Sequence, residues 1–133
     1  MHCPINLIKV RRLQSHPSIA LWAGNNENEA ALVQNWYGTD SNFDTYKTDY
    51  LKLYKEVVKD VVKMEDPSRP FVLSSPSNGV IETETMGGIN SNPGDTLFGD
   101  VHVYNYNTDG WNPVNYPQGP RFVSEYGWQS YPR

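Results

Sequence analysis

The sequence predicts a parallel α/β arrangement, and three observations predict it. Short apolar runs of strand length alternate with a helical periodicity along the chain. Each apolar run ends in polar residues, as strands do where loops carry chemistry. No repeat or low-complexity linker divides the 133 residues, so 1–133 reads as one stretch of a single domain.

The elements follow in order. Residues 5–14 read as a short helix, with Ile5, Ile8 and Leu13 toward one side and Lys9, Arg11 and Arg12 toward solvent, closed by Pro17. Residues 19–22 are a continuous apolar run, the pattern of a strand buried on both faces, stopped by Gly24-Asn25-Asn26. From 44 to 65, Tyr46, Tyr50, Tyr54, Val57, Val58, Val61 and Val62 recur at helical spacing while Lys52, Lys55, Lys59 and Lys63 fall elsewhere. This is the clearest amphipathic helix, and its basic face reads as solvated surface. Pro67 and Pro70 bracket its exit, and 70–74 is a second strand. Residues 77–96 carry Gly79, Gly87, Gly88, Pro93 and Gly94 with little periodicity and read as a long loop. Strands are then expected at 100–104 and 121–124.

Composition bounds the function. With 38% hydrophobic and 20% charged residues the chain is expected to form a core. A net charge of −4, with the lysines spread along one helix, argues against nucleic acid or an anionic membrane as partner. No run of about 18 apolar residues is present, and the N-terminus does not resemble a secretory signal. The single Cys3 excludes an internal disulfide framework. No metal constellation is read, because His2, His16 and His102 are scattered and Glu82 and Glu84 lack a partner at ligand spacing. No cofactor motif is found either, since Gly87-Gly88 is not followed by the lysine of a phosphate loop. Four Trp and nine Tyr beside many Asn suit the apolar faces and hydroxyl rims of sugars.

Two strand ends present acids among aromatics and amides: Glu27 and Glu29 after Trp22-Ala23-Gly24-Asn25-Asn26, and Glu125 in Ser124-Glu125-Tyr126-Gly127-Trp128. A pair of carboxyls is what glycoside hydrolysis requires. Glu29 reads instead as a helix-start carboxylate, favoured by the positive end of the helix dipole.

Trp22-Ala23-Gly24-Asn25-Asn26-Glu27 resembles the acid/base segment of glycoside hydrolase family 2, and 121–132 is similar to its nucleophile segment. The doubled Asn and the Ser-Glu-Tyr-Gly ending look most like the β-mannosidase branch, as do Asn35-Trp36-Tyr37 and Asp100-Val101-His102. The resemblance implies a partial (β/α)8 barrel, roughly strands four to seven, acting as a retaining exo-β-mannosidase by double displacement. It implies Glu27 as acid/base and Glu125 as nucleophile, with Asn26, His102, Tyr104, Trp36, Trp111 and Trp128 as substrate-binding residues. The implied partners are a β-mannoside oligosaccharide or glycan, together with the rest of the barrel and accessory β domains. If the source is an animal, the resemblance implies a lysosomal setting. Alternatives are another family 2 activity, β-glucuronidase or β-galactosidase, and a non-catalytic carbohydrate-binding scaffold. Because such a barrel takes about 250 residues, the stretch is expected to be inactive by itself.

Overall fold

A computed structural model describes residues 4–127. Helix α1 spans Pro4–Leu13 and leads to strand β1, Trp22–Ala23. Helix α2, Asn28–Val33, and a 3-10 turn at Thr39–Asn42 precede α3, Phe43–Tyr50. A π-helical stretch, Leu51–Val58, continues α3 into α4, Lys59–Glu65. Strand β2, Phe71–Val72, helix α5, Gly79–Thr85, and strands β3, Asp100–Val103, and β4, Phe122–Tyr126, complete the order. Among the described residues no helix is long and apolar enough to cross a membrane.

Among the described residues the strands form two parallel pairs, β1 with β2 and β3 with β4, and no closed barrel. A single antiparallel bridge between Ser77 and Asp100 joins the end of the first pair to the start of the second. The β1–β2 hydrogen bonding runs well past the strands themselves. Trp22 N–H donates to Pro70 O, Gly24 N–H to Val72 O, Ser75 N–H to Asn25 O and Glu27 N–H to Ser75 O, at 2.8–3.0 Å. Gly24 is required on this ladder, because a methyl there would stand 2.6 Å from Leu73 O.

One core gathers on the β1–β2 side. Val10, Leu32, Tyr50, Val58, Val62, Phe71 and Leu73 are buried, with Trp22, Phe43, Leu51, Tyr54 and Ile89 packed against them. The helix of 43–65 therefore forms as its spacing predicts, with its middle turns widened so that Lys59 N–H reaches Tyr54 O five residues back. Tyr46 is the exception to the expected buried stripe, being 45% exposed. In α1 the residue that meets the core is Val10, while Ile8 stays exposed, which corrects the expected apolar side.

Two further expectations are overturned. The 19–22 run is not a strand buried on both faces: Leu21 is exposed and pairing starts only at Trp22. The Arg69 side chain explains this, for its Nε donates to Ile19 O at 2.8 Å and Nη2 to His16 O at 3.2 Å. A guanidinium satisfies carbonyls that a neighbouring strand would otherwise hold. The 77–96 segment is not all loop, since it contains α5. That helix buries Glu82 and Thr83 and exposes Val80 and Ile81, an inversion that hides it from any reading of apolar period.

Asp66 fastens the end of α4 to β1. Its carboxylate accepts Trp22 Nε1–H at 2.9 Å, Arg69 Nη1–H at 2.6 Å and the Ser68 amide and hydroxyl. These hydrogen bonds, Ser68 and Trp22 first, then the Arg69 charge, hold Asp66 well below the usual carboxylate range. A depressed acid contributes stability above its unfolded value and loses it as pH falls through the folded value. Asp66→Asn is expected to destabilise at neutral pH and to flatten the acid limb of stability. Urea midpoints measured across the acid range check both; an unchanged acid limb would contradict the assignment.

Candidate functional site

The site grows from the ends of the two strand pairs. Glu27 immediately precedes α2 in the left-handed region, φ 59° and ψ 2°, a conformation costly for a residue with a Cβ. It is held there from both sides, its amide on Ser75 O and its carbonyl accepting Ala31 N–H at 2.8 Å. Such imposed strain is a mark of a site whose side chain must point one way.

On the second pair, the register sets Val101 opposite Val123 but His102 opposite Glu125, so Ser124 is an extra residue in β4. This bulge swings Glu125 into line with His102. Glu125 thus lies within β4 and not after a strand ending at 124, as the sequence suggested. Gly127 closes β4 where a methyl would clash with the Tyr106 hydroxyl and lie 2.6 Å from the Tyr104 ring.

His102 stands between the two acids. Its Nδ1 is 2.7 Å from Glu27 Oε1 and 3.5 Å from Glu125 Oε2, and its side chain is 5% exposed. Tyr104 donates its hydroxyl to Glu125 Oε2 at 2.6 Å. That bond, with burial and the Glu125 charge behind it, pushes the Tyr104 phenol up to about 12.

Proton accounting follows from the neighbours of His102. Ser75 Oγ donates its one proton to Asp100 Oδ2 at 2.6 Å, so at 3.1 Å it can only accept from His102 Nε2–H. Ser124 Oγ also donates to Asp100 Oδ2, and Asp100 Oδ1 accepts the Ser77 amide. The short Glu27–His102 contact then requires one proton, carried either by the Glu27 carboxyl or by Nδ1.

A cleft of about 360 Å³ opens beside this set, lined by Glu27, Gln34, Trp36, Pro76, His102 and Tyr104 among others. That volume is within the range of small-molecule sites. Of the residues singled out in the sequence, Glu27, His102, Tyr104 and Trp36 meet at the cleft, and Glu125 lies at its edge through His102 and Tyr104. Asn26 is exposed and bridges Ser75 by its backbone, outside the cleft lining. Trp111 is 94% exposed and is not part of the lining. Trp128 lies outside the described residues. Asn25, by contrast, is structural: it donates to Leu73 O and accepts from Ser74 Oγ and Asn28 N–H.

Sequence reasoning missed Ser75, Asp100 and Ser124. Asp100 and Ser124 stand in segments that carry the resemblance and Ser75 at a polar strand end, but none was given a role. It also treated the histidines as scattered, whereas Glu27, His102 and Glu125 each offer an atom within 4.8 Å of the others, a spacing that could hold a cation. In this structure Nδ1 is turned to Glu27 and the Tyr104 hydroxyl to Glu125.

No family model matches the chain. It is similar to curated β-mannosidases: 50% identical over 125 residues to that of Capra hircus and 49% to that of Rattus norvegicus, in each case 93% of this chain and 14% of the relative. A probable β-mannosidase of Caenorhabditis elegans is 44% identical over 124 residues, 92% of this chain and 13% of that protein. The chain thus spans about one seventh of the length of these relatives.

The Tyr104 contact gives a direct check. With tyrosine ring carbons labelled for NMR, the Tyr104 phenol should titrate about two units above an ordinary tyrosine near 10, and Glu125→Gln should bring it back toward that value. A Tyr104 signal indifferent to Glu125→Gln would show that the two do not touch in solution.

Proposed function

We propose that this chain, which belongs to the β-mannosidase-like members of glycoside hydrolase family 2 over the stretch it spans, contributes both catalytic carboxyls of a retaining exo-β-mannosidase. The observation that carries the reading is the approach of Glu27 and Glu125 from different strand pairs, one oxygen of each within 4.8 Å around His102. Retaining glycosidases place their carboxyls roughly 5–5.5 Å apart and inverting ones about 6.5–9.5 Å.

Glu27 serves as acid because it lines the cleft and shares a proton with His102. It gives that proton to the departing oxygen. Glu125 Oε1 attacks the anomeric carbon, while Oε2 stays on the Tyr104 hydroxyl, so Tyr104 selects which oxygen is the nucleophile. The glycosidic bond breaks as the ester forms, and the aglycone leaves as an alcohol. Glu27, now ionised, takes a proton from water as that water attacks from the face the aglycone left, and Glu125 is released with the sugar's configuration retained.

His102 is nearly buried, so its task in this reading is to set the Glu27 proton and separate the two acids rather than to grip the sugar. Trp36, 46% exposed and fixed by its Nε1–H on Gln34 Oε1, serves as a wall of the sugar site. Asn26 beside the acid, Trp111 and Trp128 are proposed to join it on substrate binding. The rest of a (β/α)8 barrel and accessory domains would complete the site, in the lysosome if the source is an animal.

In the full-length polypeptide carrying these residues, Glu125→Ala should abolish turnover of aryl β-mannosides, and azide should restore it with an inverted glycosyl azide. Rescue with retained configuration would exchange the two roles. Glu27→Ala should slow poor leaving groups by about 10²–10⁴ and activated ones far less. A preference for β-glucuronides or β-galactosides over β-mannosides would overturn the substrate while leaving the mechanism.

Residues 1–133 alone should show no activity above a Glu125→Ala control. The apolar Phe122 and Tyr126 of β4 are more than half exposed, which leaves the Glu125 strand without cover. Ångström-scale misplacement costs about a hundredfold. Turnover by the 133 residues above that control would show that the site needs no further support.

A further inference from the structure

Beneath the site lie two acids that the mechanism does not use. Glu29, two residues beyond Glu27 on α2, is fully buried, and Glu82 on α5 is 1% exposed. Glu29 Oε1 accepts the Asn90 amide at 2.8 Å, and Glu82 Oε2 accepts the Asn78 amide at 3.2 Å. The remaining oxygens, Glu29 Oε2 and Glu82 Oε1, are buried and meet no donor, yet the two carboxyls are within hydrogen-bonding reach of each other.

Two ionised carboxylates in this position would repel and leave two bare buried oxygens, each desolvated without a partner. One proton between them removes both penalties. Among the described residues no cation acts on either acid. From α3 comes the buried Tyr50 hydroxyl, with Asn25 and Ser74 standing against it, from the segment after β2 Asn78, and from the loop after α5 Asn90. Two cations of the π-helical stretch and α4 are engaged elsewhere, Lys55 on Gly87 O and Lys59 on Glu84.

We propose that Glu29 and Glu82 share a single proton, and that this clasp between α2 and α5 is a positioning pair holding Glu27 in its strained orientation. The geometry explains how. Glu29 sits in the first turn of α2, whose start carries Glu27 at φ 59°. Its carboxyl fastens that turn to α5 and to the 90 backbone. When the shared proton leaves, the repelling acids loosen the turn, Glu27 relaxes toward ordinary backbone angles, and its contact with His102 is lost.

Burial, then the charge of the partner acid, raises Glu29, and burial raises Glu82. A raised acid contributes stability that is complete below its unfolded value near 4.5 and is lost as pH rises through the folded value. The clasp therefore works at acidic and neutral pH and fails on the alkaline side.

The positioning half rests on Glu27 being the acid/base of the proposed function; the shared proton does not. Both are tested in the full-length polypeptide carrying these residues. Infrared spectra in a Glu27→Gln background, which removes the site's own acid from the signal, should show one protonated carboxyl persisting at pH 7 and vanishing on adding Glu82→Gln. Absence of that signal overturns the shared proton, whether or not the protein hydrolyses any glycoside.

For positioning, Glu82→Gln supplies a permanent N–H to Glu29 and still accepts the Asn78 amide. It should keep at least about half of kcat at the pH optimum and move the alkaline fall of kcat upward, with KM unchanged. Glu82→Ala should lower kcat at least about tenfold, consistent with misplacement of a reacting group. A Glu82→Gln profile that superimposes on the parent, once the infrared signal is lost, would overturn the positioning role while leaving the shared proton. Should Glu82→Ala fail to fold, the Glu82→Gln profile still decides.

Discussion

The geometry of the site depends on the hydrogen bonding of one small residue, Ser75. Its amide donates to Asn25 O and its carbonyl accepts from Glu27 N–H, so its backbone extends the β1–β2 ladder to the catalytic candidate itself. Its hydroxyl donates to Asp100 and accepts from His102, so its side chain ties the same point to β3. Asp100 carries the link onward to Ser124 in β4. Two separate strand pairs are thereby joined at the level where Glu27 and Glu125 emerge. Regular pairing between β2 and β3 is not needed for this, because the half-buried Asp100 carboxylate accepts from Ser75, Ser77 and Ser124 together.

What could be read in advance follows a physical divide. The acids at strand ends, the long helix and the parallel order were legible because apolar period and polar interruption are local properties of sequence. Helix α5 was not, because its buried face is made of Glu82 and Thr83 while Val80 and Ile81 face outward. No window average can find a helix that inverts the usual sides. Glu29 was read as a helix-start acid, and it does sit in the first turn of α2. Its partner is 53 residues away in sequence and became visible only when α5 was folded against β2. The bulge at Ser124 was equally hidden, since one extra residue in a strand leaves no trace in composition yet decides which side chain meets His102.

The two strand pairs are supported unequally. β1 and β2 lie against Val10, Leu32, Val58 and Val62, and Phe71 and Leu73 are sealed. β3 and β4 have only Val101 buried; Val103 and Val123 are half-buried, and Phe122 and Tyr126 are exposed. Glu27 is consequently backed by a packed core, whereas Glu125 is placed by the bulge, Tyr104 and His102. Rigidity at a reacting group comes from the shell behind it. On the proposed reading, the sequence that completes a barrel would supply to Glu125 what the helices already supply to Glu27.

Four glutamates in two pairs show how surroundings divide one chemical group into different tasks. On the proposed reading Glu27, in the cleft lining, and Glu125, at its edge, stand either side of an imidazole that can take or return a proton, so their charges can alternate during a reaction. In the proposed clasp Glu29 and Glu82 have no base between them, so the proton they share has nowhere to go at ordinary pH. A fixed proton can hold structure, and a mobile one can do chemistry. Because Glu27 and Glu29 are only two residues apart at the start of α2, any movement of the fixed pair reaches the mobile pair through a single turn of backbone. The strain at Glu27 requires such an anchor: a residue held at φ 59° stays there only while its neighbours prevent its return.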